Sequence, residues 1–171
     1  MEKLKIELLG APILRERAAE VDEVDDEVRR LVEGMFAAMY AANGQGLAAP
    51  QVGVSKRIVV VDLPHEGVPA MALVNPRIVE RSADRVRGEE GCLSIPGVSE
   101  VVERSARVVV EALDGGGEPV RIEAEDEFAR CLQHEIDHLD GILYIDHLSP
   151  LKRKMLLDRY RKRQQQKAKA R

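Results

Sequence analysis

Residues 133–141 read QHEIDHLDG. Two histidines four apart, with a glutamate directly after the first, commit this stretch to a helix, because one helical turn brings both imidazoles to one side. On a helical wheel Cys131, His134, Glu135 and His138 fall within about 100° of arc, and Phe128, Leu132, Ile136 and Leu139 continue it. Arg130, Gln133, Asp137 and Asp140 occupy the opposite side, away from the expected buried face. Both imidazoles can then reach a single ion at ~2.0–2.1 Å. A third protein ligand is still required, and its identity selects the chemistry.

Downstream candidates fail. In the extended metalloprotease pattern the last histidine would fall on Tyr144, and His147 comes three residues too late. The segment after it is basic, with Asp158 its only acid. Cys131 lies seven residues before His138, about 10.5 Å along a helix axis, so a buried thiol behind the site is the expectation. Cys92, in GEEGCLSIPG (88–97), lies in a stretch that reads as extended and can be presented to a helix from across a cleft. A small buried residue is the alternative reading for a free cysteine.

The rest of the chain frames this helix. Val28, Leu31, Val32, Met35, Met39 and Tyr40 recur at helical spacing over 25–43, with Asp25 as N-cap and Gly44 and Gly46 as the stop. RIVVVDL (57–63) and ALVNPRIVE (72–80) read as strands, and two further strands (106–113 and 118–125) flank DGGG as a hairpin. The metal helix is expected over 126–140 with Gly141 as its C′ residue, and Ser149-Pro150 opens a C-terminal helix. Strands cluster without a βαβ rhythm, so the fold class is α+β: antiparallel sheets around a central HExxH helix, with a C-terminal helix. At 171 residues one domain is expected (1–150), followed by a basic helix and tail (151–171).

Residues 151–171 carry ten Lys/Arg and one acid, a net +9, which leaves −13 on the rest of the chain. Such a tail suits an anionic partner, or is a solvated helix with a fraying QQQKAKAR end. No run approaches the roughly 20 apolar residues of a membrane span, and two cysteines make no disulfide framework.

Three stretches, GQGLAAPQ (44–51), EGCLS (90–94) and QHEIDHLDG (133–141), together resemble peptide deformylase in order and spacing, and APILRERA and DHLSPLKR extend the likeness over nearly the whole chain. The resemblance implies Cys92, His134 and His138 as metal ligands, Glu135 as acid/base, and Gln51 with the Leu93 N–H as oxyanion donors. It implies that Gly44, Gln45, Gly46 and Gly91 line the substrate, the glycines admitting a close, strand-like approach of an extended peptide. Gln45 departs from the aliphatic residue common there, and either bears on side-chain preference around the methionine pocket or points to solvent. The implied cofactor is one divalent ion, typically Fe²⁺, with Zn²⁺, Ni²⁺ or Co²⁺ able to substitute.

The implied reaction releases formate from N-formylated nascent peptides. The implied setting is cytoplasmic, with ribosome contact through the basic helix, no membrane and no sequence-specific nucleic acid. A glutamate beside the metal loop needs a partner if buried, and Arg104 is the expected one for Glu90. A metallopeptidase and a metal-bearing, inactive binding module are the competing readings. The missing downstream ligand counts against the first, and Glu135 and Gln51 against the second.

Overall fold

The computed structural model describes residues 3–170. Helix α1 (Asp26–Ala41) starts where Asp25 accepts a hydrogen bond from the Val28 N–H at 2.9 Å, the cap its sequence calls for. It leads through the glycine loop into β1 (Gly46–Ala48), a 3₁₀ turn (Ala49–Val52) and β2 (Ile58–Leu63). Then follow β3 (Val68–Arg81), β4 (Arg85–Cys92), β5 (Ile95–Ser105), β6 (Arg107–Leu113) and β7 (Pro119–Glu125). Helix α2 (Asp126–Leu139), a 3₁₀ turn (Tyr144–His147) and α3 (Pro150–Lys169) complete the chain. The strands form an antiparallel five-stranded sheet, ordered β1-β2-β3-β6-β7, and a separate antiparallel hairpin, β4-β5.

The apolar run Ile58–Val61 of β2 is explained by two cores. Val59, Val61 and Leu63 pack with Phe128, Leu132, Ile136 and Leu139 of α2, while Ile58 and Val60 pack with Val28, Met35 and Met39 of α1. A strand covered on both faces needs no polar alternation. A third cluster joins β5 to α3 through Ile95, Val102, Leu156 and Tyr160.

Helix α2 lies between the two sheets, and here the wheel needs correcting. Arg130 and Gln133, placed on its outward side, are only 7% and 2% exposed, because the β4-β5 hairpin covers that face. Their polar atoms are satisfied there. The Gln133 carboxamide exchanges hydrogen bonds with the Ser105 backbone, accepting from its N–H (3.1 Å) and donating to its carbonyl (3.0 Å). The helix ends as expected at Gly141 (φ +72°), with the Ile142 N–H reaching back to the Asp137 carbonyl. A Cβ at Gly141 would lie 2.6 Å from the Arg15 carbonyl oxygen, so the N-terminal segment crosses at a point only glycine permits.

Helix α3 is capped by Ser149, as the sequence implies, and runs to Lys169, through most of the stretch expected to fray; Arg171 lies outside the described residues. None of the described helices is long and apolar enough to cross a membrane.

Candidate active site

Two elements built independently meet at the site. Helix α2 supplies His134 and His138, one turn apart. The β4-β5 hairpin supplies Cys92 at its closing turn, where the register shifts between Gly91 and Cys92. One donor atom each from Cys92, His134 and His138 lie within 4.8 Å of one another, the one such group of three among the described residues. Cys92 Sγ is 3.4 Å from His138 Nε2. A tetrahedral ion with ~2.3 Å sulfur and ~2.0–2.1 Å nitrogen bonds needs that edge at about 3.5 Å, so the donor set fits a metal. His134 Nδ1 lies 2.9 Å from Glu90 Oε1, and a carboxylate there keeps the proton on Nδ1 and turns Nε2 towards the other donors. Burial holds the His138 pKa well below its ordinary value, keeping the ring neutral as a ligand must be.

Glu135 is buried beside these donors. Burial pushes its carboxyl up to about 7, and its Oε1 has no hydrogen-bond partner among the described residues. A carboxylate poised near neutrality with a vacant acceptor is suited to taking and returning one proton. Gly46 makes this placement possible: a Cβ there would stand 2.6 Å from Glu135 Oε2 and 2.9 Å from Cys131 Sγ. The glycine therefore accommodates the carboxylate from behind. Gly44 likewise leaves room for Leu93, whose Cδ1 would be 2.6 Å from a Cβ.

Gln51 is held in the 3₁₀ turn by accepting the Ala48 N–H (2.9 Å), and its amide donates to Ser94 Oγ (3.1 Å) and lies 3.6 Å from Cys92 Sγ. That amide thus points at the same small volume as the Cys92 thiol. Around it opens a cleft of about 560 Å³, whose walls include Gly44, Gln45, Gly46, Gln51, Gly91, Leu93, His134 and Glu135.

Cys131 departs from expectation. It lines the cleft rather than sitting behind the site, with Sγ 3.9 Å from the Gln45 carbonyl oxygen. Burial pushes its thiol well up, which leaves it protonated and no competitor for a metal. Tyr144, where a peptidase would place its last histidine, is 1% exposed and stacks on the His134 ring at 6.0 Å. His147 is occupied by Asp137 (2.9 Å).

The expected Glu90–Arg104 pair is present and bidentate, at 2.9 Å through both Nε and Nη2. Burial alone would raise the Glu90 pKa, but the hydrogen bonds from Arg104 and His134 hold it well below the usual carboxylate range. A second guanidinium, Arg130, also reaches Glu90 (2.7 Å), and sequence reasoning missed it. The available signal was Glu90 itself: a buried carboxylate one turn of chemistry away from a ligand attracts every cation the neighbouring helix can offer.

Comparison with known proteins is consistent throughout. The family model described as polypeptide deformylase matches residues 3–154. A peptide deformylase of Alkalilimnicola ehrlichii is 52% identical over 157 residues, covering 91% of this chain and 88% of that one. One from Rhizobium meliloti is 47% identical, with 91% and 90% covered. The crystal structure of a peptide deformylase from Legionella pneumophila superposes with a TM-score of 0.92 at 43% identity, covering 98% of each chain. One from Synechococcus elongatus in complex with actinonin gives 0.87 at 43%, covering 91% of this chain and 86% of that one.

Proposed function

Since the chain belongs to the polypeptide deformylase family, we infer that it is a metal-dependent hydrolase that removes the N-terminal formyl group from nascent formyl-methionyl polypeptides and releases formate. The observation that carries the reading is the convergence of Cys92, His134 and His138 around a point flanked by Glu135 and Gln51. Cys92, His134 and His138 would hold one divalent ion, Fe²⁺ by preference, with Zn²⁺, Ni²⁺ or Co²⁺ as substitutes. One thiolate and two neutral imidazoles would be three protein donors, the number typical of a catalytic rather than a structural site. When bound, the ion supplies Lewis acidity and lowers the pKa of a water there from 15.7 towards ~7.

The chain's own residues do the rest. Glu135 takes the proton of the attacking water as the new C–O bond forms at the formyl carbon. It then returns that proton to the departing amine as the C–N bond breaks, leaving formate and a free N-terminus. The Gln51 amide and the Leu93 N–H donate to the oxygen on which charge develops, each such donor contributing ~2.7–4 kcal/mol. The peptide lies along the Gly44–Gly46 segment and Gly91 as an added strand, with Gln45 facing its first side chain.

All of these residues fall within 1–150, the catalytic body. The basic helix and tail, 151–171, serve a different end, contact with the ribosome, in a cytoplasmic enzyme. Its charge supports that role, with neither a membrane nor a specific nucleic-acid sequence called for.

The deciding experiment incubates anaerobically prepared protein with formyl-Met peptides and measures formate. Stoichiometric formate with no internal cleavage is expected. Internal peptide-bond cleavage without formate would replace this reading with a peptidase. Glu135→Ala should keep its metal and lose about 10²–10⁴-fold in kcat. Loss of metal from that variant would make Glu135 a ligand instead.

A further inference from the structure

Glu90 is gripped by Arg104 through two nitrogens, while the third nitrogen of that guanidinium donates to Asp137 (2.6 Å). A second buried guanidinium, Arg130, reaches the same carboxylate and does more than pair with it. Its Nη1 donates to Glu90 Oε2 (2.7 Å) and to the Val102 carbonyl (2.8 Å), and its Nη2 donates to the Val86 carbonyl (2.8 Å). Val86 belongs to β4 and Val102 to β5, so one guanidinium on α2 holds both strands of the hairpin.

Stability is a poor explanation for such a group. Replacing a buried ion pair by apolar side chains of similar volume is often neutral or stabilising. What an apolar residue does not provide is a fixed geometry between α2 and the hairpin, and those two elements carry the two halves of the metal site. Arg130 is one turn before His134, and Glu90 is two residues before Cys92. Through Glu90, the guanidinium and the His134 ring share one carboxylate, 2.7 Å from Oε2 and 2.9 Å from Oε1 respectively.

Gly88 completes the device. It pairs with Val102 across the hairpin, and a Cβ there would stand 2.8 Å from both Cζ and Nε of Arg130 and 2.9 Å from Nη2. The guanidinium is thus pressed against bare β4 backbone, which only glycine leaves accessible.

We propose that Arg130, seated on Gly88, is a positioning residue that sets the separation between the Cys92 thiolate and the two imidazoles, and so governs how tightly and in what geometry the metal is held. This rests on the metal-site reading above.

The test compares wild type with Arg130→Met, Arg130→Lys, Gly88→Ala and the Gly88→Ala/Arg130→Met double variant, each loaded with Co²⁺. Five quantities are read: the rate of metal loss to a chelator, the thiolate-to-cobalt absorption band, kcat and KM on a formyl-Met peptide, and Tm. Removing a residue that orients metal ligands typically costs 10–100-fold in metal affinity or activity. Arg130→Met should lose metal at least 10-fold faster, shift the cobalt band and lower kcat while KM stays within twofold.

Gly88→Ala should act in the same direction, because it displaces the guanidinium without removing it. The double variant should be no worse than Arg130→Met alone, since the displaced group is then absent. Additive effects, an unchanged cobalt band with only a lower Tm, or a change confined to KM would each overturn the proposal. Should Arg130→Met fail to fold, Arg130→Lys and Gly88→Ala give the same readouts. A wild type lacking a thiolate–cobalt band would instead defeat the metal site itself.

Discussion

At the scale of single residues, the site depends on what is left out as much as on what is present. Gly46→Ala would drive a methyl group into Glu135 Oε2 and Cys131 Sγ, both confined by α2. A displaced general base costs rate before it costs stability, so kcat should fall about 10–100-fold with a small change in Tm. Steady-state kinetics beside thermal melts would show it. Asp146 offers a pH prediction away from the metal. Burial would raise its pKa, but the Arg15 guanidinium and the Leu143 N–H bond it and hold it below the ordinary value. A carboxylate depressed on folding stabilises fully above its unfolded pKa and loses that contribution as pH falls through the folded one. The Tm advantage of wild type over Asp146→Asn should therefore be present at pH 6 and shrink below about pH 4. Arg15 is half-exposed, so the advantage is small. The pairing of His134 with His138 on one face was readable because HExxH fixes its own geometry, and Glu90–Arg104 because buried charge demands a partner. Arg130 and the placement of Cys131 were not, since both depend on which surface covers α2.

At the scale of elements, the same cause separates what a sequence reveals from what it conceals. Capped helices such as α1 and α3 state their starts locally, and β6-β7 states its turn through DGGG. The β4-β5 hairpin gives no apolar alternation over Arg85–Cys92 because its inner face is Gly88 and Glu90, residues chosen to meet polar groups on α2. A wheel drawn for one sheet then misassigns the face that meets the other. Gln133→Leu tests this arrangement. It would leave the Ser105 N–H and carbonyl buried without their partner, costing about 1–3 kcal/mol for each orphaned group. Urea melts should show that loss with an unaltered slope.

At the scale of the whole molecule, the charge of the chain is divided between body and helix. Leu156 and Tyr160 are buried against β5, so removing α3 to isolate the role of its charge would open the core. Charge substitution is the cleaner probe. Lys154→Gln with Lys162→Gln alters exposed positions only. It should weaken ribosome binding most at low salt and leave turnover of small peptides unchanged. Equal binding by both proteins in a sedimentation assay would remove the ribosome from the account.

The central position of α2 also orders events in time. The hairpins and sheet that flank it precede it in the chain and close through antiparallel, mostly local pairings, whereas the helix that fills the space between them arrives only at residues 126–139. During synthesis the apolar face of β2 waits uncovered for a segment about seventy residues further on, the interval in which a growing chain is most open to aggregation. Cys92, on the early hairpin, cannot meet His134 and His138 until that segment has emerged, so the site is assembled late, just before α3 closes the last core cluster.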